Sequence, residues 1–133
     1  MNQSVFRSYD IRGRYPDELD EGAAKEIAAS LAGHFKSGKI VIAHDARLSS
    51  PGLYRAILDT FTTRDMRFKI HDVGLATTPM FYFLVNNLEA VGGIMVTASH
   101  NPKEYNGLKI VGPGAAVLSG KEVWTILQST PTF

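Results

Sequence analysis

Apolar residues recur along this chain at two kinds of spacing, one typical of helices and one typical of strands. In four segments they lie three and four residues apart, as on one face of an amphipathic helix. Those apolar stripes begin at Ala24, Leu53, Phe81 and Val123. Short apolar runs predict strands at Val5–Tyr9, Lys39–Ala43, Arg67–Val73, Val91–Val96 and Leu108–Val111. This alternation predicts a layered α/β domain with a largely parallel sheet.

Capping residues mark where the predicted helices begin. Asp20 precedes the first apolar stripe and is a typical N-cap residue. Ser50-Pro51 and Thr78-Pro79 each have the order of an N-cap residue followed by proline at the first helical position. Ser119–Glu122 has the spacing of a capping box, which predicts the start of the last helix.

Length and charge exclude several classes of function. The chain has 133 residues and a net charge of +1, and its length fits one domain. Nucleic-acid-binding domains carry clustered Lys and Arg, whereas here basic and acidic residues are interspersed, so we expect no nucleic-acid partner. No apolar run approaches the roughly 20 residues that span a bilayer, and the N-terminus lacks the apolar stretch of a signal peptide. We therefore expect a cytoplasmic protein with no membrane partner.

Four predicted loops leave strands at one edge of the sheet, where open α/β sheets bind ligands. They lie around Arg12, Asp45–Arg47, Thr77–Pro79 and Ser99–Asn101. Cations, hydroxyls and helix N-termini in these loops favour anions. The pattern indicates a phosphorylated ligand, although it does not by itself identify a reaction.

The loop that follows the predicted strand Val91–Val96 carries the most informative residues. Ser99 follows a buried strand and precedes His100 and Asn101, so its hydroxyl is expected to be exposed in a fixed direction. A serine is a weak nucleophile that needs a base or strong charge neutralisation. Lys109 and Arg12 are candidate sources of that positive charge. From the residues alone, a Ser-His pair in a loop is also compatible with an ordinary turn.

Four motifs resemble those of a known family. Thr97–Pro102, followed by Tyr105–Lys109, resembles the phosphoserine loop of the α-D-phosphohexomutases of the phosphomannomutase/phosphoglucomutase type. Phe6–Gly13, Asp45–Pro51 and Thr77–Pro79 are similar to the other motifs of that family's N-terminal domain, in the same order. The resemblance covers nearly the whole chain and implies a three-layer α/β/α domain with a mixed, largely parallel sheet.

The resemblance also implies a reaction and a site. A hexose 1-phosphate and a hexose 6-phosphate, of mannose or glucose, would be interconverted through a bound hexose 1,6-bisphosphate. Ser99 would be phosphorylated, and its phosphate would bind Mg²⁺ together with aspartates that lie outside this chain. The implied site residues are the catalytic Ser99, His100, Arg12 and Lys109 and the substrate-binding Tyr9 and Asn101.

Three further domains are implied by the resemblance, carrying the metal-binding aspartates, a sugar-specificity loop and a phosphate-binding loop. We therefore expect residues 1–133 to be a single domain of a longer enzyme, cut from its partner domains. The isolated chain is expected to fold but to be inactive. An apolar strip around Trp124 is expected to meet the next domain, with completion of this domain's own core as the alternative.

Other interpretations of the same residues remain open at this point. The domain as a whole fits a non-catalytic sugar-phosphate-binding or regulatory role, whereas a serine hydrolase is disfavoured because the chain lacks a Gly-x-Ser-x-Gly elbow. Arg12 could pair with Asp10 on the surface, and Arg47 is expected to hold its own loop through Asp45. His100 either contacts ligand or holds the loop by hydrogen bonds.

Overall fold

The computed structural model describes residues 1–63 and 67–129. Its helices and strands, in chain order, are β1 (Ile11–Arg14), α1 (Glu21–Phe35), β2 (Gly38–His44), α2 (Ser50–Thr62), β3 (Phe68–Leu75), α3 (Thr78–Asn87), β4 (Gly92–Val96), β5 (Tyr105–Val111), β6 (Val117–Leu118) and α4 (Gly120–Ser129). Single 3-10 turns lie at Gln3–Val5 and Pro113–Ala115. The predicted segment after the last helix, residues 130–133, lies outside the described residues.

The sheet is mixed, with a parallel centre. Its strand order is β1-β5-β4-β2-β3, and β6 pairs with β5. β2 runs parallel to both β3 and β4, whereas β5 runs antiparallel to β4, β1 and β6. Apolar residues of α1, α2 and α4 pack on one face, and those of α3 pack on the other. The predicted three-layer α/β/α class with a mixed sheet is confirmed; among the described residues, two of the five strand pairings are parallel and three are antiparallel.

β4 lies in the middle of the sheet and fixes where the loop of Ser99 begins. All five residues of β4 are buried. Gly92 and Gly93 admit the aromatic rings of the helices above and below: a Cβ would lie 2.4 Å from Phe35 at the first and 2.7 Å from Phe81 at the second. Helices on both faces therefore pack closely against β4, so the loop that leaves it starts from a rigid support.

Two of the predicted helix caps are confirmed. The Asp20 carboxylate accepts a hydrogen bond from the backbone N–H of Ala23 at 2.8 Å. Ser119 and Glu122 form the reciprocal pair of a capping box, with hydrogen bonds of 3.1 and 3.2 Å. Each satisfies backbone N–H groups that the first helical turn leaves without an intrahelical partner.

The other two caps differ by one residue from the prediction. The N-cap of α3 is Thr77, whose hydroxyl accepts from the N–H of Met80, rather than Thr78. The N-cap position of α2 is Ser49. Ser50 is the first helical residue, and its hydroxyl donates to Asp45 at 2.6 Å. The proline signal is correct in both helices, but the residue before each predicted cap occupies the N-cap position, and the side chain of Ser49 makes no capping hydrogen bond.

The predicted strand Val5–Tyr9 is wrong, because this segment turns back on itself. Phe6 forms an isolated antiparallel bridge with Ile11, and the N–H of Arg7 donates to the carbonyl of Asp10 at 2.8 Å. Val5 and Phe6 are both buried, which breaks the alternation that a half-buried strand requires. The first strand is therefore β1, and Arg12 lies within it rather than in a loop.

Trp124 belongs partly to the core of this domain. Its ring packs edge-on against Phe6, with centroids 5.0 Å apart, and it is half-buried. An open groove of about 520 Å³ adjoins the two rings. The aromatic pair thus anchors α4 to the N-terminal segment while leaving an edge of Trp124 exposed.

Candidate active site

The loop after β4 holds Ser99 in an unusual backbone conformation. Ser99 has φ +56°, in the left-handed region that residues with a Cβ seldom adopt. Its N–H donates to the hydroxyl of Thr97 at 3.0 Å, and the N–H of Asn101 donates to the carbonyl of Ala98 at 3.1 Å. The loop is therefore a tight turn, and Ser99 lies partly exposed on it directly beyond the central strand.

Two cations converge on one buried carboxylate beside this loop. Asp10 is 3% exposed. Its Oδ2 accepts from Nε of Arg12 at 2.8 Å and lies 3.6 Å from Nζ of Lys109. One negative charge meets two positive charges, so the cluster carries a net charge of +1. Because both cations remain partly exposed, that charge is available to an anion.

Strand register brings the two cations to one face of the sheet. Arg12 in β1 lies opposite Gly107 in β5, and Lys109 follows two residues later, on the same face. A Cβ at Gly107 would lie 2.2 Å from the carbonyl oxygen of Ile11 and 3.3 Å from Cγ of Arg12. Glycine at this position lets β1 approach closely and leaves room for the Arg12 side chain.

Arg12 also connects the charge cluster to the serine loop. Its Nη1 donates to Oδ1 of Asn101 at 3.0 Å. The structure thus joins three of the predicted site residues, Arg12, Lys109 and Asn101, through Asp10 and a hydrogen bond. Ser99 stands two residues before Asn101 in the same turn. The pairing of Arg12 with Asp10, foreseen as an alternative, coexists with this link.

Tyr9 and His100 are placed more loosely. Tyr9 is 78% exposed and lines a cleft of about 230 Å³ with Lys109 and Tyr82. Burial, reinforced by the charge of Asp10, raises the pKa of Tyr82, so its hydroxyl stays protonated at neutral pH. His100 is exposed, and the described residues provide no hydrogen bond to its side chain.

A second set of polar contacts ties the β2–α2 loop to the start of β5. The buried amide of Asn106 donates to the hydroxyls of Ser49 at 2.7 Å and Ser50 at 2.9 Å. Ser50 in turn donates to Asp45. Nε of Arg47 lies 3.3 Å from the Asp45 carboxylate, as predicted from the sequence. The two loops at this edge of the sheet are therefore one connected structure.

Sequence reasoning gave no role at the site to Asp10, Tyr82 or Asn106. Asp10 had a usable signal, since it precedes Arg12 by two residues and such residues of an extended segment point the same way. Tyr82 is indistinguishable in the sequence from an apolar-stripe residue of α3. Asn106 acts through residues more than fifty positions away, which no local pattern reveals.

The described residues contain no group of three or more His, Asp or Glu side chains arranged to hold a metal ion. The oxygen ligands that Mg²⁺ prefers are thus not assembled within 1–63 and 67–129. Over the same residues, no helix combines the length and apolar character needed to cross a membrane.

The fold and this site define a class of protein. The family profile described as "Phosphoglucomutase/phosphomannomutase, alpha/beta/alpha domain I" matches residues 3–132. The chain belongs to this family, and it corresponds to the family's α/β/α domain I.

Individual relatives agree with that assignment. The chain is 44% identical over 119 residues to "Phosphohexose mutases" of Xanthomonas campestris pv. campestris, a match that covers 90% of this chain and 26% of the relative. It is 41% identical over 121 residues to a phosphomannomutase of Klebsiella pneumoniae, covering 88% of this chain and 73% of that protein. The chain thus spans about a quarter of the Xanthomonas relative.

A solved structure shares the fold. The crystal structure of a phosphoglucomutase/phosphomannomutase family protein from Burkholderia thailandensis superposes with a TM-score of 0.82 at 32% sequence identity. The match covers 96% of this chain and 30% of that one. The α/β/α arrangement described above is therefore that of the family.

Proposed function

We propose that this chain is the domain of a phosphohexomutase that carries the transferred phosphoryl group on Ser99. One observation carries the proposal: Ser99 lies in a left-handed turn whose Asn101 is hydrogen-bonded to a cluster of net charge +1. A phosphoserine bears a charge of about −1.5 to −2 at pH 7. A net positive cluster at the end of a buried strand favours such a group.

The proposed reaction is a pair of phosphoryl transfers. In the first, the free hydroxyl of a hexose monophosphate attacks the phosphorus on Ser99. The new sugar P–O bond forms, the P–Oγ bond breaks, and the hydroxyl proton passes to the serine oxygen by way of a nearby base or water. The resulting hexose 1,6-bisphosphate reorients, and the Ser99 hydroxyl attacks its other phosphorus. A new P–Oγ bond forms, the P–O bond to the other sugar oxygen breaks, and the serine proton passes to that sugar oxygen by way of a nearby base or water.

The residues around Ser99 would act mainly by charge and position. Phosphoryl transfer is accelerated chiefly by electrostatic stabilisation and alignment. Arg12 and Lys109 would offset the charge on the phosphoryl oxygens, because both cations are partly exposed beside Asp10. Asn101 and Tyr9 would contact the sugar phosphate, and His100, exposed next to Ser99, is the proposed proton carrier.

Other domains are proposed to complete the site. Mg²⁺ would neutralise phosphoryl charge when bound between the Ser99 phosphate and carboxylates outside the described residues. The sugar and its distal phosphate would be held by further domains, which is consistent with the chain spanning a quarter of its Xanthomonas relative. The isolated chain would then have little or no turnover. The phosphomannomutases among its relatives favour a mannose phosphate as substrate.

A mutase assay tests this function directly. The complete product of the gene that encodes this chain would be assayed with Mg²⁺, a hexose 1,6-bisphosphate primer, and mannose, glucose or glucosamine 1-phosphate. We expect conversion to the 6-phosphate, fastest for mannose or glucose, and loss of activity on the order of 1000-fold or more in Ser99→Ala.

The matched control is Ser37→Ala, because Ser37 is an exposed serine between α1 and β2. It should retain wild-type activity. A protein that binds these sugar phosphates without converting any of them would support the non-catalytic binding role instead. Conversion that survives Ser99→Ala would refute the proposed carrier.

A further inference from the structure

The loop between β2 and α2 sends one arginine across to the serine loop. Nη1 of Arg47 donates to the carbonyl oxygens of Pro102 at 2.8 Å and Tyr105 at 3.2 Å. Its Nη2 donates to the carbonyl oxygens of Ser99 at 3.0 Å and Asn101 at 2.7 Å. A single guanidinium thus binds four backbone carbonyls within seven residues, all of them more than fifty positions away in sequence.

Asp45 holds the fifth donor of that guanidinium. Nε of Arg47 lies 3.3 Å from Oδ2 of Asp45, whose Oδ1 accepts from the N–H of Arg47 at 3.0 Å. An arginine has five N–H groups in a planar fork, and five acceptors surround this one. The side chain of Arg47 is only 15% exposed, so the fork is locked in one orientation.

These contacts bear on the strain at Ser99. A residue with a Cβ is strained in the left-handed region and persists there only where its surroundings over-determine the conformation. Arg47 supplies that constraint, since it binds the carbonyl of Ser99 itself and three carbonyls downstream. A lysine could not replace it, because an ammonium presents three donors from one point rather than a planar fork.

We propose that Arg47 is a positioning residue that holds Ser99 in the conformation required for phosphoryl transfer. Arg47 binds the loop only through backbone carbonyls, so its effect on the reaction is exerted through the direction of the Ser99 side chain. The inference rests on the proposed function of Ser99. It extends the sequence-based expectation for Arg47, which was limited to holding its own loop through Asp45.

The test compares Arg47→Lys with Arg55→Lys in the complete gene product. Arg55 is an exposed arginine on α2, so its variant makes the same chemical change away from the loop. For Arg47→Lys we expect kcat to fall on the order of 100-fold, while KM changes by less than about threefold because the substrate contacts remain. Arg55→Lys should leave both constants unchanged.

Hydrogen exchange provides a readout that does not depend on activity. The N–H groups of Asn101 and Tyr105 are bonded within the loop, so loosening it should speed exchange of a peptide covering residues 98–107 by at least about tenfold. Peptides from β2 and α2 should exchange as in Arg55→Lys. The rate at which Ser99 takes up phosphate from a hexose 1,6-bisphosphate should fall in parallel with kcat.

Two results would overturn the proposal. One is a kcat for Arg47→Lys close to that of Arg55→Lys, which would show that the four carbonyl bonds are dispensable. The other is exchange that accelerates equally through β2, α2 and the loop, which would show that Arg47 stabilises the whole domain. Failure of the proposed function is distinguishable, since it is reported by Ser99→Ala retaining activity, whereas the exchange comparison still tests the role of Arg47.

Discussion

Two of the polar clusters that adjoin the sheet differ in how they use their hydrogen-bonding groups. At one, the hydroxyl of buried Tyr54 is bonded to the Asp72 carboxylate, to the carbonyl of Ile42 at 3.2 Å and to the N–H of Gly74 at 2.8 Å. Burial and the Asp72 hydrogen bond raise the pKa of Tyr54, so it remains a neutral donor. This cluster satisfies its own polar groups.

The cluster at Ser99 does not close on itself in this way. It keeps a net charge of +1 on partly exposed cations around Asp10, and it places a serine at φ +56°. The left-handed position in the Tyr54 cluster is Gly74, with φ +76°, where such a conformation carries no Cβ penalty. The Tyr54 cluster has glycine at its left-handed position, as the backbone favours. The cluster at Ser99 keeps a serine hydroxyl there, which lowers the stability of the fold.

Positive φ alone is not what distinguishes Ser99. Lys36 and Glu89 also have positive φ, but they follow the ends of α1 and α3, where left-handed residues commonly terminate helices. Ala115 lies in the turn before β6. Ser99 differs because cations and a bracing arginine surround its turn. Strain combined with available charge, rather than either feature by itself, is typical of a functional site.

The largest expected effect comes from removing one cation. Arg12→Met should lower kcat/KM of the complete gene product on the order of 100- to 1000-fold, because the charge that we propose stabilises the phosphoryl group is lost. The free energy of unfolding of the chain should fall by about 1–2 kcal/mol, because buried Asp10 loses the closer of its two cations but keeps Lys109. Steady-state kinetics and urea denaturation would measure the two effects.

Arg14→Met is the matched control for that variant, because Arg14 is an exposed arginine on the same strand. It should leave kcat/KM near the wild-type value. Equal losses in the two variants would remove the distinction between the Ser99 cluster and the rest of β1.

The second prediction concerns the Tyr54 cluster, where a substitution should lower stability and leave activity nearly unchanged. Tyr54→Phe should lower the free energy of unfolding by about 1–3 kcal/mol, because a buried hydroxyl with three partners is removed. Activity should stay within about twofold of wild type, as expected for a change outside the reacting groups. Tyr15→Phe, which loses a single bond to Glu21, should destabilise less in the same urea titration. A loss of activity in Tyr54→Phe as large as in Arg12→Met would contradict the contrast.

The smallest effect isolates the strain at Ser99. Ser99→Gly and Ser99→Ala should both be inactive, but the glycine variant should be more stable by about 1 kcal/mol, because it relieves the left-handed conformation. Gly74→Ala should show the opposite sign and lower stability by about 1 kcal/mol, since no atom within 4 Å of its Cβ adds a clash. The midpoints of urea denaturation of Ser99→Gly, Ser99→Ala and Gly74→Ala would test these differences in stability. Equal stability of Ser99→Gly and Ser99→Ala would mean that the turn is unstrained.

Much of the fold was readable because its elements are amphipathic or continuously apolar. The apolar stripes of α1, α2, α3 and α4 predicted four helices, and the caps at Asp20 and Ser119 fixed two starts. The segment before β1 was wrongly predicted as a strand, because its short apolar pair, Val5 and Phe6, belongs to a turn buried in the core cluster with residues of α1, α2 and α4. A tertiary contact determines the conformation of this segment, and a local sequence pattern does not reveal that contact.

In the candidate site, too, some features could be predicted from the sequence and others could not. Ser99, Arg12, Lys109 and Asn101 were named from motifs, and the structure joins the last three through Asp10. The hydrogen bonds from Arg47 to the serine loop could not be predicted from the sequence, because their four acceptors are backbone carbonyls. Every residue has a backbone carbonyl, so the sequence does not indicate which carbonyls an arginine will bind.

Ser99 is the residue that we propose carries the phosphoryl group. The most direct measurement is to incubate the complete gene product with a hexose 1,6-bisphosphate and to locate the bound phosphate by tandem mass spectrometry of its peptides. We expect one phosphate, bound to Ser99, and its removal when hexose monophosphate is added in excess. An active mutase whose phosphate lies on another residue, or on none, would contradict it.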